Sequence, residues 1–292
     1  MDWAAYAETW PNAETSGFVR SRPHRWHVQE MGPADAPVVL LLHGAGGATH
    51  SWRDLAPLLA RRWRVVAPDL PGHGFTRLGA LQRSSPDLMA ADLAALLDHR
   101  GLSPAAIVGH SAGAVLALRL ADRHLRPAAL VGLNAALDPF EGQAGWLFPM
   151  LAKAMAVNPF VASALARAGR SERSVAALIE GTGSRIDALG LALYRACVSD
   201  ARHVDGVLTM MAQWRLGFIR TTLRTLETPT LLVTGARDRA VPPETTTRAA
   251  SRMQAAETAI LPRLGHLAHE EAPAEVARLI DAHLDRHLPG AD

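Results

Sequence analysis

A chain of 292 residues with 49% apolar content is long enough for one large domain with an insertion and apolar enough for a substantial core. The net charge is only +2, and all but one of the basic groups are arginines scattered singly or in pairs such as Arg61-Arg62, so a pI near 9.2 does not describe a nucleic-acid-binding surface. The single cysteine, Cys197, excludes an internal disulfide framework and is expected to be a buried or half-buried spectator. The first twenty residues carry Asp2, Glu8 and Glu14 without a basic-then-apolar pattern, so no signal peptide is expected, and no apolar stretch reaches spanning length. The expected location is the cytoplasm.

Taken in order, the chain has a β-then-α rhythm. Alternation in Arg25-Trp26-His27-Val28-Gln29 predicts an early edge strand, followed by a strand at 38–42, a helix near 51–61, a strand at 64–67 and a helix near 86–100. The apolar run ending in Ile107-Val108 is a further strand, the run 114–118 a helix, and 128–134 another strand. Between about 138 and 225 strand signals vanish, while helical apolar spacing appears at Trp146, Leu147, Met150, Leu151 and Met155 and again at Leu189, Leu191, Leu193 and Tyr194. A strand at 230–235, a helix near 243–254, a strand at 258–261 and a helix at 273–287 resume the rhythm. The expected class is α/β, a mostly parallel sheet flanked by helices, with an all-helical insertion.

Where the strand at 105–108 meets its helix the sequence reads Gly109-His110-Ser111-Ala112-Gly113. Gly-X-Ser-X-Gly in this context is a tight strand-to-helix turn that holds a serine hydroxyl exposed, the glycines being needed where strand and helix approach closely. In a chain with 23 glycines the string alone is weak, and a surface Gly-Ser turn is the bland alternative; the flanking strand and helix raise it. Asp238 follows the 230–235 strand through Gly235-Ala236-Arg237, and His266 follows the 258–261 strand in Leu264-Gly265-His266. All three therefore converge on the carboxyl edge of one sheet, where open α/β sheets place their sites.

These motifs resemble the α/β-hydrolases, and the resemblance runs from about residue 20 to the C-terminal helix. His43-Gly44-Ala45-Gly46-Gly47 resembles the family's oxyanion loop, Pro68-Asp69-Leu70-Pro71-Gly72-His73-Gly74 the loop after the next strand, and Gly265-His266 with His269-Glu270-Glu271-Ala272-Pro273 the histidine loop. The resemblance implies Ser111 as nucleophile, Asp238 as acid and His266 as base, in the family's chain order, with backbone N–H groups of Ala112 and Ala45 as oxyanion donors and Gly46 as the alternative to Ala45. Asp138 is a second candidate acid and His269 a second candidate base. His43, His73 and His110 are expected to brace backbone turns. No His/Cys/carboxylate cluster shows metal-ligand spacing, and no cofactor or metal is expected.

The resemblance also implies that residues 138–225 form a lid inserted between strands six and seven, with 1–137 and 226–292 as the core domain. Lid aromatics and methionines suit an adaptable apolar surface. Most should fill the lid's own core, while Trp146, Met150, Met155, Met211 and Trp214 are the candidate substrate contacts, favouring a large, flat or long apolar substrate. Docking on a membrane surface through Trp146-Leu147-Phe148 is a further reading.

A narrower resemblance covers nearly the whole chain. Trp10-Pro11-Asn12, Arg25 to Gln29, Thr49 to Leu55, the lid string Leu178-Ile179-Glu180-Gly181-Thr182-Gly183-Ser184-Arg185 and Gly265 to Glu271 resemble the magnesium-chelatase accessory family of bacteriochlorophyll-producing bacteria. That implies a role near magnesium insertion into protoporphyrin IX, with a tetrapyrrole as candidate substrate and chelatase subunits as candidate partners. Two functions are carried forward: a serine hydrolase acting on an ester or thioester, which is favoured because nucleophile, base, acid and oxyanion loop are all present, and a non-catalytic porphyrin-binding or chelatase-contacting protein on a hydrolase scaffold.

Overall fold

The computed structural model describes residues 1–80, 82–137 and 159–288. Eight strands form one sheet in the order β1-β2-β4-β3-β5-β6-β7-β8: β1 Ser16–Ser21, β2 His24–Met31, β3 Val38–Leu42, β4 Arg64–Pro68, β5 Pro104–His110, β6 Ala129–Leu133, β7 Thr230–Gly235 and β8 Ala256–Leu261. β2 runs antiparallel to β1 and β4, and every other pairing is parallel. The early edge strand expected at 25–29 is longer and is covered by β1, whose alternation is too weak to read from sequence.

Both faces of the interior parallel strands β3 to β7 are buried, which is why they read as unbroken apolar runs, whereas β8 at the edge is half-exposed. Alternation within β3 sends Leu40 and Leu42 to one face and Val39 and Leu41 to the other. The first face packs on α2 (Pro86–His99) and α3 (Ala112–Arg123), and the second on α1 (Leu55–Leu59), Trp52 and Trp63, together with residues of the C-terminal helix.

Between β6 and β7 the described helices are α4 (Pro159–Ala168), α5 (Glu172–Gly181), α6 (Ala188–Val198), α7 (Ala201–Gln213) and α8 (Ile219–Thr225). Leu216, Ile219 and Leu223, which precede residue 226, belong to the same apolar cluster as the sheet's α3 face. The remaining helices are α9 (Pro243–Ala250), α10 (Ala268–Glu271) and α11 (Pro273–His287). No helix among the described residues is long and apolar enough to cross a membrane.

Two glycine contacts dock the inserted helices on the carboxyl edge of the sheet. A Cβ on Gly206 of α7 would lie 2.2 Å from the Gly72 carbonyl oxygen, so this helix meets the loop after β4 backbone to backbone. Gly183, at φ +86°, would place a Cβ 1.9 Å from the Arg237 carbonyl oxygen. Only glycine permits both the positive φ and the approach.

Candidate active site

Ser111 joins β5 to α3 with φ +50° and ψ −113°, a conformation that a non-glycine residue adopts only when its surroundings impose it. The surroundings do so through contact. A Cβ on Gly113 would lie 2.0 Å from the Leu42 carbonyl oxygen and one on Gly109 would lie 2.4 Å from the Gly113 carbonyl oxygen, while the Ser111 N–H donates to the Leu133 carbonyl at 2.9 Å. Ala112 is then the first residue of α3, its N–H among those left free at a helix start.

Asp238 and His266 are held together. His266 Nδ1 lies 2.8 Å from Asp238 Oδ2 with both residues buried, and the rest of the carboxylate is satisfied by N–H groups: Ala240 and Val241 donate to Oδ1, each at 2.8 Å, and Asn134 Nδ2 donates to Oδ2 at 2.8 Å. A carboxylate so surrounded is acceptor-only, so Nδ1 of the histidine carries the proton toward it and Nε2 keeps its lone pair. Asn134 also donates to the Gly265 carbonyl at 3.1 Å, tying the acid loop to the histidine loop, and takes φ +46° to do so. Sequence reasoning missed it, though an asparagine directly after a strand, tolerant of the left-handed region, was the available signal. Asp138, the competing acid, lies outside the described residues.

The stretch around Gly183, in the insertion after β6, grips both loops. Ser184 Oγ accepts from the Leu267 N–H at 2.8 Å, the Arg239 N–H donates to the Thr182 carbonyl at 3.0 Å, and Glu271 accepts from Gly265 N–H at 2.8 Å and Arg185 N–H at 3.1 Å.

The oxyanion-loop candidates sit in a turn closed by the Gly47 N–H on the Gly44 carbonyl at 3.1 Å, with Gly46 at φ +79° as a turn of this type requires. His43 braces it: Nδ1–H donates to the Gly44 carbonyl at 2.8 Å and Nε2 accepts from the Leu70 N–H at 2.9 Å. His203 of α7 also braces it, accepting from the Gly74 N–H at 3.0 Å and donating Nε2–H to the Gly46 carbonyl at 3.1 Å. Burial holds both imidazoles below the ordinary histidine range, His203 well below, so they stay neutral. Asp69, buried, accepts from the Thr49 N–H at 2.7 Å, the Phe75 N–H at 2.8 Å and His27 Nδ1 at 2.8 Å, fixing the loop after β4 to the same turn.

His110, His73 and His269 are also bonded in place. His110 Nε2 donates to the His266 carbonyl at 2.9 Å, and His73 Nδ1 lies 3.2 Å from the Pro71 carbonyl. His269 Nε2 is 2.9 Å from Ser51 Oγ, which donates to Glu270 Oε1 at 2.8 Å, and Tyr194 donates to the same oxygen at 2.7 Å. Burial raises the Glu270 carboxyl to about 7 despite these donors. Cys197 is fully buried, and burial pushes its thiol well up.

Ser111, His266, Ala45 and Gly46 share one cavity of about 440 Å³, whose far walls are Leu178, Ile179, Val198, Val207 and Met211, with Ser51, Thr182 and Tyr194 as polar points. A second apolar cavity, also about 440 Å³, adjoins it across Ala45, Gly46, Leu178, Val198 and Val207. Met211 thus faces the serine's cavity. Trp214 does not: it packs with Met210, Leu216 and Ile219 in the core on the α3 side of the sheet, where a large indole buries most area. Trp146, Met150 and Met155 lie outside the described residues. A larger cleft of about 550 Å³ lies on the other side of Asp238 and is lined by Arg185, Arg237, Arg239 and Arg263.

A mostly parallel sheet whose carboxyl edge carries an elbow serine beside an acid-bound histidine defines an α/β-hydrolase scaffold. The chain belongs to the alpha/beta hydrolase family, whose model matches residues 39–279. It is 44% identical over 96% of its length, and 98% of the relative's, to the magnesium-chelatase 30 kDa subunit of Rhodobacter capsulatus. Among solved structures it superposes on an alpha/beta hydrolase fold protein from Burkholderia ambifaria with a TM-score of 0.76 and 25% identity, covering 91% of this chain and 97% of the other. The enol-lactonase from Burkholderia xenovorans LB400 shares the fold, with a TM-score of 0.75 and 18% identity over 92% and 99%.

Proposed function

We propose that the protein is a serine hydrolase that cleaves an ester or thioester of a bulky apolar compound, with Ser111 as nucleophile, His266 as base and Asp238 as acid. The observation that carries this reading is the His266 Nδ1 to Asp238 Oδ2 contact of 2.8 Å, with His266 lining the same cavity as the strained Ser111. Nε2 of His266, with its lone pair free, takes the Ser111 hydroxyl proton as Oγ attacks the carbonyl carbon, and returns it to the departing alcohol or thiol. The Asp238 carboxylate stabilises the imidazolium between these steps. Backbone N–H groups of Ala45 and Ala112 meet the developing oxyanion, a contribution worth about 3 kcal/mol per donor in other enzymes. Water then enters by the same route and releases the acyl group.

The cavity wall supports an apolar substrate, its polar points being too few to recognise a highly polar one. Of the candidate contacts Met211 is the one among the described residues that would touch it, beside Leu178, Ile179, Val198 and Val207, under a lid comprising the helices inserted after β6. The kinship with a magnesium-chelatase subunit supports a place in bacteriochlorophyll biosynthesis near magnesium insertion, with a tetrapyrrole ester as candidate substrate. The work would be done in the cytoplasm or at the periphery of the photosynthetic membrane.

The name of that relative also favours a second reading, in which the scaffold binds a porphyrin or contacts the chelatase without catalysis, the four-arginine cleft offering a surface for acidic groups. Cells carrying Ser111→Ala separate the two. Under the hydrolase reading they match a deletion strain in pigment loss and in the precursor they accumulate; full restoration of pigment by Ser111→Ala would select the binding reading instead.

A further inference from the structure

At the amino end of β8, the sheet edge opposite the one that carries Ser111, three side chains converge. His283 and His287 are one turn apart on α11, and Glu257 faces them from β8, the last strand of the sheet. One ligand atom from each lies within 4.8 Å of the others, and His283 Nδ1 is 3.9 Å from Glu257 Oε1. His283 is 1% exposed, and both its Nδ1 and the Nε2 of His287 are buried nitrogens with no hydrogen-bond partner among the described residues. Two such orphans side by side are costly, and an ion or ordered water is the usual explanation.

We propose that Glu257, His283 and His287 bind one divalent cation of the zinc type. Two imidazoles and one carboxylate are a borderline donor set of the kind zinc accepts, with a fourth position left to water. A tetrahedral ion with bonds of about 2.0–2.1 Å holds its donors roughly 3.4 Å apart, so side-chain rotations must close the present spacing by about 0.5–1.4 Å. The supporting contacts already point the right way. His283 Nε2 faces the Pro229 carbonyl at 3.4 Å, which directs the Nδ1 lone pair toward the site. Arg286 NH2 holds both Glu257 oxygens at 2.7 and 2.9 Å, fixing the carboxylate while leaving each oxygen another lone pair. The exposed Glu257 supplies an entry path. A bound ion would pin the C-terminal helix to the edge strand and so stabilise the fold by mass action.

His283 and His287 stand four residues apart, a spacing that the expectation of no metal-ligand cluster passed over, and Glu257 joins them only in the fold. Calorimetric titration of untagged protein with Zn²⁺ in a non-coordinating buffer should show saturable binding of one ion per chain and a rise in melting temperature. His287→Ala and Glu257→Gln, neither at a fully buried position, should each weaken binding at least about tenfold while leaving the melting temperature without metal nearly unchanged. Absence of saturable binding in the wild type, or unchanged affinity and stoichiometry in both variants, would overturn the proposal.

Discussion

Ten of the thirteen histidines are buried, and this makes the fold acid-labile in a way that can be worked out. Burial drives His50, His73 and His269 from 6.5 down to about 3. In the window between these values the unfolded chain binds a proton at each site and the folded chain does not, so stability is full above about 6.5 and is lost as pH falls. Each site loses about 1.4 kcal/mol per pH unit, giving about 6 kcal/mol for the three between pH 7 and 5. Glu270 acts oppositely. Its carboxyl is raised from 4.5 to about 7, so the folded chain binds the extra proton and regains about 2 kcal/mol over the same interval. Asp69, held low by its bonds, matters only below its ordinary 3.8. The net expectation is a loss of about 4 kcal/mol, and His43, His110 and His203, also lowered by burial, act in the same direction. That is a large part of the 5–15 kcal/mol typical of a domain. Urea unfolding at pH 7 and pH 5, followed by tryptophan fluorescence, measures it; a stability that falls by less than about 1 kcal/mol, or rises, would refute the reasoning.

Three further outcomes are expected. Asn134→Asp should reduce ester hydrolysis at neutral pH by about 10–100-fold in kcat/KM, because two carboxylates would then meet where an amide now donates at 2.8 Å; unchanged kinetics would remove Asn134 from the positioning of Asp238. Met211→Ala should change chain-length preference on model esters with little change in melting temperature, whereas Trp214→Ala should cost about 3–5 kcal/mol of stability and leave preference intact; the reverse pattern would exchange their roles. Gly183→Ala meets both a positive φ and the Arg237 carbonyl oxygen, so a loss of roughly 1–3 kcal/mol with a fall in kcat is expected, and wild-type stability with wild-type kcat would show that the clamp on the acid loop is dispensable.

The interior parallel strands were legible because burial on both faces leaves unbroken runs such as Val38 to Leu42, and the elbow because its glycines are demanded by contacts of about 2 Å. β1 was not legible: its residues lie half-exposed at the sheet's edge, where no face imposes a pattern. Asn134, His203 and the Gly183-Ser184 clamp escaped for a different reason. The partners range from 54 residues away, as with Gly183 and Arg237, to 157, as with His203 and Gly46, and local spacing carries no trace of such a contact. Trp214 shows the limit of composition, since an aromatic in a lid can serve the core as readily as the cavity and only the packing decides which.

The central claim, an activated serine, is tested most directly by reacting the purified protein with a fluorophosphonate probe and mapping the adduct by mass spectrometry. A Ser111 deprotonated by His266 should carry the label, and His266→Ala and Asp238→Asn should each slow labelling severely. An unlabelled wild-type protein, or labelling that persists unchanged in Ser111→Ala, would contradict it.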